Sequence, residues 1–199
     1  MGGTSESLTF GDRPPLELLY AVRAVGRSVV WTGALFGGRR LRQPKTRVGE
    51  TVHFADGTEA NVYRETVVRR PPSQAPAVLV VTFRLRWIRG RAHAVFRAES
   101  VFNTPLFVGF PGFVSKLWLT HDERGRYRGI YEWDDSTLAD SYARALWWVL
   151  ALVCPRETIR YTVLAGRRRD DWLSNPDRPP VTAKPDGNWW RPVRAGAGD

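Results

Sequence analysis

A chain of 199 residues, 43% hydrophobic and 12% aromatic, is long enough for one domain with a sizeable core. Its net charge of +10 invites nucleic acid as a partner, but the basic residues are scattered arginines, with lysine only at Lys45, Lys116 and Lys184, so nucleic-acid binding is disfavoured. The single cysteine, Cys154, excludes an internal disulfide and any cysteine-rich metal site and fits a reducing, cytoplasmic setting; the first residues lack a secretory pattern, and no apolar run approaches membrane-spanning length.

The arginine bias fits a GC-rich bacterial genome. Pro14-Pro15 opens a helix expected over residues 16–36, with Leu18, Val22, Val25 and Val29 on one face and Gly37-Gly38 as its stop. The basic run Arg39, Arg40, Arg42, Lys45 and Arg47 follows. A helix of this kind beside a basic run is also the pattern of a membrane-surface anchor, but packing on its own domain is the favoured reading. Residues 48–68 form a hairpin through Asp56-Gly57. The break at 69–76 (RRPPSQAP) separates an N-terminal extension, residues 1–72, from a core domain at 77–166. A charged, Pro- and Gly-rich tail, 167–199, follows it. Trp172, Trp189 and Trp190 predict that part of this tail packs.

In the core domain, Ala77–Trp87 is a strand, with Leu79, Val81, Phe83, Leu85 and Trp87 on one face. A helix is expected over 92–101, and 103–110 reads as a loop lining a pocket. Phe113–Thr120 is a strand, placing Phe113, Leu117 and Leu119 on one face and Val114 and Trp118 on the other. After a short polar turn, Tyr127, Gly129, Tyr131 and Trp133 share one face of the next strand. Asp134-Asp135-Ser136 offers N-cap oxygens to a helix over 137–153, Cys154-Pro155 ends it, and 158–165 closes as a strand. The sum is α+β in the βαββαβ order of a ferredoxin-like sheet. Two helices cover one face only, yet the strands are apolar on both. The other face therefore needs a roof, most simply a second copy in a homodimer or, in part, the N-terminal hairpin. The space under that roof is the expected ligand pocket.

The run PGFVSKLW…YRGIYEW…ADSYARALWWVLALV resembles the dimeric α/β-barrel superfamily, and within it the branch related to the antibiotic-biosynthesis monooxygenases. The matching positions are Pro111, Gly112, Phe113, Lys116, Trp118, Gly129, Tyr131, Asp135 and Tyr142, and the match covers about residues 77–165. The resemblance implies a cofactor-independent monooxygenase-like or cyclase-like enzyme acting on an aromatic or polyketide-type small molecule. A non-catalytic small-molecule-binding or interaction protein on the same scaffold is the alternative. Haem degradation in that superfamily relies on a histidine of the second helix, and Thr137–Val153 contains none.

No phosphate-binding loop, dinucleotide fingerprint or nucleophile elbow is present. His53, His93 and His121 lack metal-ligand spacing, and Cys154 reads as a small buried hydrophobe. Lys116, alone among apolar strand residues, is the candidate base, because burial lowers a lysine's pKa. The opposing reading is a snorkelling lysine or a Lys116–Glu132 pair. His93 is the second catalytic candidate; Asn103, Trp118, Tyr131, Trp133 and Phe83 are the substrate-binding candidates. No metal and no cofactor are expected.

Overall fold

The computed structural model describes residues 14–37, 40–86, 107–175 and 188–194. Helix α1 spans Leu18–Gly37, and the strands are β1 (Leu41–Arg42), β2 (Thr51–Phe54), β3 (Glu59–Val68), β4 (Ala77–Arg84), β5 (Phe113–Leu119), β6 (Arg126–Trp133), β7 (Arg160–Ala165) and β8 (Pro192–Val193). Helix α2 covers Ser136–Val153, a 3-10 turn Arg156–Thr158 leads into β7, and a short α3 occupies Arg169–Ser174. The helix expected over 92–101, with His93, and the loop residue Asn103 lie outside the described residues.

The strands form one antiparallel sheet in the order β7-β4-β6-β5-β3-β2-β8, with β1 also paired to β3. The first four of these strands have the ferredoxin-like arrangement, and the fold is α+β. The N-terminal hairpin continues the sheet, because β3 pairs along β5 from Val62–Leu119 to Val67–Ser115. At the hairpin turn Gly57 takes φ 79°, a conformation that suits glycine. The sheet curls so that the hairpin and the tail come over its second face.

Two cores result. On the helix-bearing face, Leu79, Val81, Phe113, Trp118, Tyr131 and Trp133 pack against Tyr142, Leu146 and Leu150 of α2. On the other, Val78, Val80, Leu117 and Ile130, each 0% exposed, meet Val52, Phe54 and Val62 of the hairpin and Trp172, Trp189 and Trp190 of the tail. The roof that sequence reasoning assigned most simply to a second copy is thus supplied by the chain itself. Burying those three indoles holds the tail to the sheet where it carries them.

Two local expectations are corrected. A bulge between Phe113 and Ser115 shifts the register of β5, so Phe113 joins Trp118 on the helix-bearing face, not Leu117 and Leu119. Among the described side chains of α1 the buried ones are Ala21, Ser28 and Thr32, whereas Leu18 and Val22 are exposed. The reason is steric: the loop before β5 approaches the α1 backbone so closely that a Cβ on Gly109 would overlap the Ser28 carbonyl. Only small side chains fit that seam. The start of α1 is held to α2 by Trp148 Nε1 donating to the Leu16 carbonyl at 2.7 Å and Arg144 Nε to that of Pro14 at 2.8 Å.

Candidate functional site

Lys116 sits in the middle of β5, which is paired on both sides, opposite Thr66 of β3 and Tyr131 of β6. It is therefore neither at a sheet edge nor snorkelling: it is 6% exposed. Glu132 points to the other face, where its carboxylate accepts from the Arg169 backbone N–H at 3.0 Å, so the expected Lys116–Glu132 pair is absent. Instead the Lys116 Nζ lies 3.1 Å from the ring centre of Trp118, 4.4 Å from that of Phe107 and 4.7 Å from that of Tyr131. Aromatic faces attract an ammonium, but they replace only part of its hydration. Burial, reinforced by the charge of Arg64, holds the Lys116 amine well below the ordinary lysine range.

The cage is built from several elements. Trp118 and Lys116 are two residues apart on one face of β5, Tyr131 comes from β6, and Phe107 comes from the loop before β5. Trp118 Nε1 donates to Thr66 Oγ1 at 3.3 Å, which fixes the indole, and the Arg64 guanidinium lies 5.1 Å from the same ring. Tyr142 of α2 closes the far side, 5.5 Å from Tyr131 between ring centres and 4.8 Å from Trp133. Burial raises the pKa of both Tyr131 and Tyr142, and the two phenols are hydrogen-bonded to each other, so both stay protonated at neutral pH. Trp133 is 0% exposed, and its Nε1 has no hydrogen-bond partner among the described residues.

The structure thus gathers Lys116, Trp118, Tyr131 and Trp133 in one cluster, but beneath α2 and not under the roof of the second face. Phe83 packs against the margin of this helix-face core, away from the Lys116 amine. It lies opposite Tyr127, four positions along β4 from the Leu79–Tyr131 pair, and stacks on that ring at 5.9 Å. Sequence reasoning placed the 103–110 loop at a pocket without singling out Phe107, and it missed Arg64. Phe107 belongs to a stretch broken by proline and glycine. Arg64 reaches this face only because a bulge between Val62 and Arg64 interrupts β3, and no sequence signal announces it.

The remaining candidates have structural roles. Asp135 caps α2, its carboxylate accepting from the Thr137 and Leu138 backbone N–H groups at 2.7 and 3.3 Å. Cys154 is 0% exposed, and burial pushes its thiol up to about 12. His53 Nδ1 is 3.2 Å from Glu59, and His121 tilts against Tyr127. Among the described residues no group of histidines, cysteines and carboxylates could hold a metal ion. A groove of ≈ 430 Å³ at the hairpin turn is lined by His53, Phe54, Thr58, Glu59, Glu123 and Arg194, none of them among the predicted site residues.

The second face has its own polar anchors. Asp56 and Asp122 share Arg126 and Arg128, with Arg128 donating to Asp122 at 2.9 Å, Asp56 at 3.1 Å, Thr58 Oγ1 at 2.8 Å and the Trp189 carbonyl at 3.1 Å. At the other end Arg169 donates to Glu65 at 2.6 Å. These two groups fasten the hairpin and the tail to the sheet.

No protein-family model and no curated protein matches the sequence. Among solved structures, the chain is similar to an uncharacterised ferredoxin-fold protein related to antibiotic-biosynthesis monooxygenases from Listeria monocytogenes, at 12% identity and a TM-score of 0.41, over 56% of this chain and 66% of that one. It is also similar to a protein described as a major regulator of staphylococcal pathogenesis, at 14% identity and a TM-score of 0.36, over 53% of this chain and 66% of the other.

Proposed function

We propose that this chain binds an aromatic or polyketide-type small molecule against the ring cluster beneath α2, and that Lys116 acts on it as a base in a cofactor-independent monooxygenase-like or cyclase-like reaction. The observation that carries this reading is the Lys116 amine, buried in a ring of Trp118, Phe107 and Tyr131 and biased toward its neutral form. A neutral amine can take a proton from an acidic C–H or phenol, and the protonated Tyr131–Tyr142 pair can donate to the oxygen where charge then develops. Trp133 Nε1 is a further donor without a protein acceptor among the described residues. With an anthrone, deprotonation gives a carbanion that reduces O2; one oxygen atom enters the quinone product and the other leaves as water.

The protein works in the cytoplasm, and any homodimer would use a surface other than the second sheet face, which the chain roofs itself. Oxygen uptake with anthrones and quinols as probes tests the proposal. Turnover by the wild type, lowered at least ~100-fold in kcat by Lys116→Met with little change in KM, is expected of a general base. Turnover that survives Lys116→Met removes the lysine from the chemistry. Tight binding of these probes without any turnover favours the second reading, a ligand-binding protein that uses the same rings.

A further inference from the structure

Helix α1 presents two unlike faces. Its inner face is small and packed, with Ala21, Ser28 and Thr32 at 1–3% exposure. Its outer face carries Leu18, Leu19, Val22 and Val30 at 51–74% exposure. At 100° per residue these four fall within an arc of roughly 120°. Arg23 and Arg27 border that arc, and Tyr20 and Trp31, each 58% exposed, follow beyond them. The helix contains no acidic residue. Just after it, Arg40, Arg42 and Lys45 are exposed. A helix needing only to pack on its own domain would be polar on this side.

We propose that the outer face of α1 docks on a bilayer surface that carries anionic lipids. The helix lies in the interface plane: Leu18, Leu19, Val22 and Val30 enter the acyl boundary, Tyr20 and Trp31 sit at headgroup depth, and the arginines meet lipid phosphates. No described helix is long and apolar enough to cross a membrane, which fits lying on one. Charge selects the occupant. Two copies meeting through this face would oppose Arg23 and Arg27 to their own equivalents on chains of net charge +10. An anionic surface meets the same groups with attraction. Leu152 and Val153, 80% and 49% exposed at the end of α2, lie one turn beyond the Trp148 that bonds the Leu16 carbonyl just before α1.

The full chain is mixed with vesicles of phosphatidylcholine alone or with about one third phosphatidylglycerol, and flotation is measured at low and at high salt. Flotation with the phosphatidylglycerol vesicles, weakened by salt and absent with phosphatidylcholine alone, is expected. Leu19→Glu with Val30→Glu should lower the bound fraction at least tenfold while leaving the thermal melt unchanged, since both side chains are exposed. Arg23→Glu with Arg27→Glu should abolish the preference for the anionic vesicles. Absence of flotation, or flotation unchanged by Leu19→Glu with Val30→Glu, overturns the proposal. So does a dimer in solution that the same pair dissolves, because that face would then be an interface between copies.

Discussion

Replacing Arg128 with methionine is the sharpest test of how the tail is held. The wild-type cluster is electrically balanced: Asp56 and Asp122 against Arg126 and Arg128, with both carboxylates and Arg128 at 0% side-chain exposure. Arg128→Met removes four donated hydrogen bonds and leaves two buried carboxylates facing Arg126 alone, a net charge of −1 in the interior. Breaking a buried pair from one side costs about 3–5 kcal/mol. For a chain of this size that corresponds to a fall in Tm of roughly 6–20 °C. The double variant Arg128→Met with Asp122→Asn restores balance, through Asp56 and Arg126 at 2.7 Å, and should recover at least about half of the loss. Acid sharpens the test. Burial opposes ionisation of Asp122, but the Arg126 backbone N–H and the charges of Arg128 and Arg126 hold its carboxyl below the usual range. A depressed folded pKa contributes stability that is present above the unfolded value and lost as pH falls through the folded one. Wild type should therefore lose more stability on acidification than Arg128→Met does. Urea unfolding at neutral and acid pH measures both arms. A cost under about 1 kcal/mol for the single variant, or no recovery in the double, refutes the idea that this cluster clamps the tail.

Lys116→Met should make the fold about 1–4 kcal/mol more stable at mildly acidic pH, since an apolar side chain relieves ammonium burial. Below the depressed folded pKa the wild type bears that cost in full; as pH rises toward 10.5 the unfolded chain keeps a proton that the folded chain has released, so wild-type stability climbs. The variant's stability should be flatter between about pH 6 and about pH 9 in urea titrations, and parallel curves would show that Lys116 is not desolvated. Asp135→Ala removes the cap of α2 and should cost about 1 kcal/mol by the same assay, with Asp135→Asn nearly harmless; equal losses in the two variants would count against the capping role.

Much of this fold was legible from residue patterns. The alternation of β4 and β6 assigned the faces of Leu79, Val80, Ile130 and Tyr131 correctly, and the Asp135 cap and the Asp56-Gly57 hairpin follow from local backbone chemistry. What was hidden came from bulges and from long-range closure. A single extra residue in β5 moves Phe113 to the other face, and another in β3 brings Arg64 toward Trp118. Neither leaves a mark in an alternating sequence. The roof was half visible: Trp172, Trp189 and Trp190 announced burial, but not that they would occupy the second face. The α1 face was misread because helical periodicity weighs hydrophobicity, while packing beside Gly109 is decided by bulk.

The roof over the second face also orders the events of folding. Val52 and Trp190 meet in one core although more than two thirds of the chain separates them, so closure of that core waits for the C-terminal part to arrive. Until then the surface of Val78, Val80, Leu117 and Ile130 stands bare on an otherwise assembled sheet. Refolding should be slow and sensitive to protein concentration, and the indoles that complete the structure also retire its stickiest surface.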